Sequence, residues 1–277
     1  MIFNKWARSL WLAMMLAMLW ACATVPLTQR KALRLVPSSE IVGLSMQEYR
    51  KALKKAKLSK DREKVAMVKR VGMRIARAAE EFLEEEGLGH EIRNYHWEFN
   101  LIEDEKVVNA WCMPGGKVAV YTGILKFTRN EQGLAVVLGH EIAHAIAGHG
   151  NERMSQALLV NLGGMALSAA LRTKPEETRK LYGALFGIGA ALGFTLPYSR
   201  LQEAEADRIG LVLMAMAGYD PRAAIGFWER MKKGKGARLP QFLSTHPAPS
   251  ARIAELKRYI SEAMPYYERS KRRGANF

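Results

Sequence analysis

The stretch from Glu131 to His149 constrains the fold more than any other, because it has helical spacing and almost no polar face. Leu134, Val136, Val137, Leu138, Ile142, Ala143, Ala145 and Ile146 point in every direction around the helical period, so other elements must cover it on all sides. His140, Glu141 and His144 interrupt this apolar surface. Positions i and i+4 lie about 400° apart on a helix, so both imidazoles leave one face about one turn apart. Two neutral imidazoles so placed reach one tetrahedral zinc ion at about 2.0–2.1 Å. Glu141 projects beside that point, where it can take a proton from activated water.

A third ligand must come from elsewhere. A histidine six residues beyond His144, with a glycine three residues beyond it, would complete one known pattern, but those positions hold Gly150 and Ala147. His149 lies about 140° around the helix from His144 and reads as a structural histidine. The best candidate lies in Arg200-Leu201-Gln202-Glu203-Ala204-Glu205-Ala206-Asp207, where Glu203 and Asp207 again share a helix face. Glu203 would complete a two-histidine, one-glutamate site with a position left for water. Asp207 would accept the outer N–H of a ligand histidine and fix its tautomer. Glu205 points about 200° away from Glu203, and a solvated face or a helix N-terminal charge is its simplest account.

The rest of the chain supplies the covering elements. Helical spacing is expected over Ser45–Leu58, and over Lys60–Glu86 with Val65, Val68, Ile75, Ala79 and Phe82 on one face. Gly87 and Gly89 end the second of these. Trp97, Phe99 and Leu101 alternate with polar residues as in a half-buried strand. Val107–Cys112 and Val118–Tyr121 flank a Pro114-Gly115-Gly116 reversal. Further helices are expected over Ser199–Ala217, Pro221–Met231 and Pro249–Met264, with a basic loop over Lys232–Gly236. The fold class is mainly α with a small β-sheet (α+β). Met154–Leu171 and Leu181–Leu196 carry no charge and are rich in Gly and Ala, but both fall short of the roughly 20 residues of a membrane span. They read as a helical hairpin buried in the core, the alternative being a hairpin against a lipid surface.

The N-terminus reads as an address. Residues 1–9 are basic, Leu10–Ala21 is a short apolar run, and Leu19-Trp20-Ala21-Cys22 resembles the bacterial lipobox, in which the cysteine is lipidated. Ala23 after that cysteine implies outer-membrane sorting by the same resemblance. The expected organisation is a lipoprotein signal peptide at 1–21, a tether at 22–43, a catalytic domain at 44–265 and a basic C-terminal tail at 266–277. Cys112, between Trp111 and Met113, reads as a small apolar core residue, and two cysteines in all exclude a disulfide framework or a thiolate-rich metal site. The formal charge is +15, of which Lys5 and Arg8 belong to residues 1–21. A surface this basic suits anionic lipid, whereas no nucleic-acid motif is present and no nucleic-acid partner is expected.

His140-Glu141-Ile142-Ala143-His144, Glu203-Ala204-Glu205-Ala206-Asp207, and Asn109-Ala110 followed by Pro114-Gly115-Gly116 together resemble the HtpX, Oma and CAAX-prenyl-protease type of zinc metallopeptidase. His149-Gly150-Asn151-Glu152-Arg153-Met154-Ser155 and Thr245-His246-Pro247 with Arg252-Ile253 are similar to its periplasmic BepA and LoiP-like branch. The resemblance spans about residues 40–262. It implies a gluzincin-type metallopeptidase domain built round an HExxH helix, with one zinc ion per chain on His140, His144 and Glu203. Glu141 would be the general base. Substrate would add as a β-strand along Asn109, Ala110 and Trp111, with Gly116 nearby. His246 would either occupy the open zinc position or steady the oxyanion, and Arg252 would fasten that loop to the cleft. The implied activity is endopeptidase cleavage of misfolded or stalled envelope proteins in the periplasm. A zinc-stabilised chaperone with a closed peptidase centre is the competing expectation.

Overall fold

In a computed structural model of the protein, which describes residues 22–170, 172, 176, 199–233, 241–246 and 250–274, the apolar stretch forms helix α4, Glu131–Ile146. Its first turn is capped by Asn130, whose side chain accepts from the Gly133 N–H at 3.1 Å. Every residue from Gly133 to Ile146 is buried, as an apolar helix without a polar face requires.

The preceding elements are strands β1 (Cys22–Thr24) and β2 (Lys31–Leu33), helices α1 (Ser38–Lys55) and α2 (Arg62–Glu85), and a 3-10 turn at Gly89–Asn94. Strands β3 (Glu98–Ile102), β4 (Ala110–Met113) and β5 (Lys117–Tyr121) and helix α3 (Thr122–Thr128) complete the run into α4. After it come α5 (His149–Ala170), α6 (Arg200–Met216), α7 (Ala223–Lys233), α8 (Gln241–Thr245) and α9 (Ser250–Arg272). The mainly helical α+β class is as expected.

The chain divides into two compact units, one formed by residues 1–37 and 151–196, the other by 38–150 and 197–277. In the larger unit, α4 packs most extensively against α6, and also against α2, β4 and α7. Asp61 caps α2 by accepting from Lys64 N, and Val68, Val71, Ile75, Ala79 and Phe82 bury one face. That face meets β3 so closely that a Cβ on Gly72 would lie 2.3 Å from the Phe99 ring. The three-stranded sheet has the order β3-β5-β4, with β3 parallel and β4 antiparallel to β5. The reversal between β4 and β5 turns on Gly115 and Gly116, both left-handed at φ +86° and +80°. β4 is thus an edge strand. Its Asn109 carbonyl accepts from Tyr121 N, so the alternate residues Ala110 and Cys112 turn their backbone groups to the free edge.

Four expectations need correction. The helix expected to reach His149 stops at Ile146, because Gly148 adopts φ +68° and breaks the helical backbone before α5 begins at His149. Residues 22–43, expected to be a tether, instead hold the β1–β2 pair, Cys22 opposite Leu33, and the start of α1 at Ser38. The expected basic tail is helical to Arg272, docked by Arg269 on Glu85 (3.0 Å) and Arg273 on Glu81 (2.5 Å) of α2. Finally, α5 is not a buried core helix along its length. Leu162 and Met165 are 59% and 70% exposed, since apolarity buries a helix only where a partner surface meets it. In the smaller unit, the start of α5 is held by Arg30 on Glu152 at 2.7 Å and by Ser155, whose Oγ accepts from Leu35 N at 2.8 Å. No helix among the described residues is long and apolar enough to cross a membrane. The expected signal peptide at 1–21, the segment Leu181–Leu196 and Pro247 lie outside the described residues.

Candidate active site

Helix α4 presents His140, Glu141 and His144, and α6 presents Glu203 and Asp207 from a helix opened by a Ser199–Gln202 capping box. The two helices touch backbone to backbone at two glycines. A Cβ on Gly210 would fall 2.9 Å from both Gly139 C and His140 N, and one on Gly139 would fall 2.7 Å from Gly210 O. Sequence reasoning missed both. The available signal was spacing, because Gly210 continues the Glu203, Asp207 face at i+7.

That approach, joined by His246 from the segment after Gln241–Thr245, brings four side chains to one point: His140, His144, Glu203 and His246 offer nitrogen or oxygen atoms within 4.8 Å of one another, all buried. His140 Nε2 lies 3.1 Å from His144 Nε2, 3.2 Å from His246 Nδ1 and 3.5 Å from a Glu203 oxygen. His144 Nε2 lies 3.3 Å from Glu203, and His246 Nδ1 lies 2.9 Å from it. Donors at about 2.0–2.1 Å from a tetrahedral zinc ion stand roughly 3.3 Å apart, so the spacing fits that ion.

The hydrogen bonds fit it too. His140 Nδ1–H donates to Asp207 Oδ1 at 3.0 Å, which leaves its Nε2 lone pair facing the cluster in the neutral ring. A carboxylate and imidazole lone pairs converging on one buried point call for a cation. Burial opposes charge on His140, but Asp207 and Glu203 outweigh it and push its pKa up to about 9. A proton and a metal ion compete for that same lone pair. Burial holds His144 well below the ordinary imidazole value. Glu203 stays ionised despite burial, because contacts with His140, His144 and His246 lower its pKa.

Arg252 of α9 closes the back of the site. It donates to both oxygens of Asp207, from Nε at 2.5 Å and Nη2 at 2.6 Å, and from Nη1 to Glu203 at 3.1 Å. Its guanidinium stacks 3.9 Å over Trp228. Two carboxylates one turn apart are thereby held by one planar fork. His246 follows α8, which is seated by Phe242 N–H donating to the Val108 carbonyl at 3.0 Å. The Phe242 and His246 rings lie 4.8 Å apart.

Glu141 is buried, and burial raises its pKa. The backbone N–H of Cys112, on the free edge of β4, offsets part of that rise. Glu141 Oε1 has no hydrogen-bond partner, although His246 Nε2 lies 3.3 Å away. An unpartnered buried carboxylate oxygen beside a metal-type cluster suits a group that accepts a proton from water. Ala110 and Cys112 form the adjoining edge, and the Cys112 side chain is buried as expected. Trp111 lies on the other face of β4, edge-on to Tyr49, and Gly116 backs onto the Trp97 ring within the turn. Asn109 is buried with its Oδ1 unpartnered. Cys22 opens β1.

The reading of Glu205 as solvated is corrected. It is 3% exposed, and His149, fully buried, stands between it and His144. Helix α6 buries most of its circumference, so a position about 200° from Glu203 still meets protein.

A model of peptidase family M48 matches residues 69–260. Mitochondrial metalloendopeptidase OMA1 of Schizosaccharomyces pombe is 39% identical over 176 residues, 63% of this chain and 50% of that protein. Human OMA1 is 35% identical over 185 residues, 64% of this chain and 35% of its own. The β-barrel assembly-enhancing protease of Escherichia coli is 28% identical over 174 residues, 60% of this chain and 35% of its own. The chain thus spans half, or less, of the length of these relatives.

Proposed function

The chain belongs to peptidase family M48, and from that premise we propose that it is a zinc endopeptidase acting on unfolded or misfolded polypeptides of a bacterial cell envelope. The observation that carries this reading is the convergence of His140, His144 and Glu203 beside a Glu141 oxygen with no hydrogen-bond partner. These three residues are assigned as the zinc ligands. Zinc, when bound, supplies Lewis acidity and lowers the pKa of water. Glu141 takes the proton of the attacking water and delivers it to the departing amine. Asp207 and Arg252 hold the ligand set in place. The substrate lies along Asn109, Ala110 and Trp111, adding a strand to the free edge of β4. Recognition through backbone groups favours unfolded chains of varied sequence.

The lipobox-like Leu19-Trp20-Ala21-Cys22 supports an outer-membrane lipid anchor on Cys22 with the enzyme facing the periplasm. The net charge of +15 supports association with an anionic membrane surface. Similarity to the β-barrel assembly-enhancing protease of Escherichia coli supports a substrate among envelope proteins, while the OMA1 relatives are mitochondrial.

A second reading is favoured by His246, whose Nδ1 stands in the donor cluster where substrate would need access. It makes the protein a zinc-stabilised chaperone or assembly factor with a closed centre. Incubation of an unfolded outer-membrane protein with the full chain separates the two. Cleavage by wild type or by His246→Ala, abolished in Glu141→Gln with zinc retained, supports the peptidase. Stoichiometric zinc and substrate binding, with no cleavage even by His246→Ala, supports the chaperone.

A further inference from the structure

The two histidines of α4 are oriented differently. His140 meets a carboxylate directly, through Asp207 at 3.0 Å. His144 meets another imidazole: its Nδ1 lies 2.8 Å from His149 Nδ1, and His149 Nε2 lies 3.1 Å from Glu205 Oε2. His149 and Glu205 are 0% and 3% exposed, and neither belongs to the metal-type cluster or to the proton transfer assigned to Glu141.

With Glu205 as the carboxylate, these three groups allow one arrangement of neutral rings. A carboxylate only accepts, so His149 carries its proton on Nε2 and donates it to Glu205. Its Nδ1 is then a lone pair, which accepts from His144 Nδ1–H. His144 is left with a bare Nε2, and that is the atom standing 3.1 Å from His140 Nε2 and 3.3 Å from Glu203. The opposite tautomer of His144 would set a proton where an ion must bind.

We infer that His149 and Glu205 are positioning residues for the zinc site, a buried relay that fixes the tautomer and ring angle of His144 as Asp207 does for His140. The fold supplies the relay through two local features. Gly148 ends α4 with a left-handed turn, which brings His149 back against the imidazole of His144 instead of carrying it round the helix. Glu205 reaches it from α6, two residues from Glu203, so one helix serves both ligand histidines from different sides. A buried ion-capable pair contributes little stability over apolar groups of equal volume, so what distinguishes this pair is the hydrogen bond delivered to His144.

The inference rests on zinc binding at His140, His144 and Glu203, and zinc stoichiometry of the wild-type full chain tests that premise separately. Its absence would remove the premise and overturn the relay with it. Zinc affinity is then measured by chelator competition in Glu205→Gln, Glu205→Leu and His149→Phe. Removing such an outer partner weakens metal binding by about 10–100-fold, and that loss is expected for Glu205→Leu and His149→Phe. Glu205→Gln keeps an amide carbonyl to accept from His149 and is expected to stay within about threefold of wild type. Nitrogen-15 NMR of the metal-free protein gives a readout that packing alone would not move. His144 is expected as the Nδ1–H tautomer in wild type and Glu205→Gln, and as a mixture in Glu205→Leu. Wild-type zinc affinity in Glu205→Leu would overturn the relay, as would equal losses in the Gln and Leu variants. If the Leu and Phe variants do not fold, wild type and Glu205→Gln still decide, since a wild-type His144 protonated on Nε2 refutes the inference.

Discussion

Helices α4 and α5 are almost adjacent in the chain, and the two have little charge along most of their length, yet they meet opposite environments. Gly133 to Ile146 of α4 are buried throughout, whereas Leu158, Leu159, Leu162 and Met165 of α5 are exposed. The contrast teaches that an apolar surface states a need for cover and not its fulfilment. For α4 the cover comes from α2, β4, α6 and α7, and against α6 the two backbones meet at Gly139 and Gly210. The polar residues of α4 are then enclosed as well, which strengthens each electrostatic contact among them. α5 has apolar residues of the same kind and no metal-type cluster among its described residues.

The comparison can be broken most severely at the α4–α6 contact. Gly210→Val places a branched side chain against Gly139 and the His140 backbone, and overpacking against main chain cannot be relieved by a rotamer change. A loss of about 3 kcal/mol or more is expected, together with loss of stoichiometric zinc, checked by urea unfolding and metal analysis. A variant that keeps zinc would show that the helices can separate without dispersing the ligands. Next in size is Ile142→Ala, fully buried between the two zinc-type histidines in sequence. Deleting that side chain should lower stability by about 2–5 kcal/mol, with zinc retained if the backbone of α4 holds.

Gly148→Ala tests the boundary between the two helices. At φ +68° an alanine costs about 1–2 kcal/mol. The expected result is a small fall in the urea midpoint and a measurable weakening of zinc binding, because the turn sets His149 against His144. If the urea midpoint and zinc affinity are both unchanged, the left-handed turn is not what separates α4 from α5.

Much of the candidate site was legible in the sequence, and for a local reason. His140 with His144, and Glu203 with Asp207, are pairs within single helices, so helical spacing alone sets each on one face. The covering helix α2 was legible because it has a one-sided apolar stripe ending at Gly87. What escaped depends on contacts between distant segments. Glu205 looked solvated because spacing gives its angle on α6 but not what lies at that angle. The break at Gly148 was hidden inside a run whose apolar residues surround the axis, where periodicity carries no face to interrupt. Spacing puts Gly210 on the Glu203, Asp207 face but does not say which helix meets it, and the β3-β5-β4 order has no local signal at all. The short helices α3 and α8 fall below the length at which periodicity speaks. The β1–β2 pairing was obscured by Pro26, which reads as irregular chain.

The smallest expected effect sharpens the comparison from the other side. Met165 is 70% exposed, so truncating it removes few contacts from the folded chain. Substitutions away from the core usually change stability by less than about 0.5 kcal/mol, and Met165→Ala should do the same in urea unfolding of the full chain. Ala also has the better helix propensity, which sets the sign of any small shift toward stabilisation. A destabilisation near that of Ile142→Ala would mean that α5 is covered in solution, and that the two helices share one environment after all.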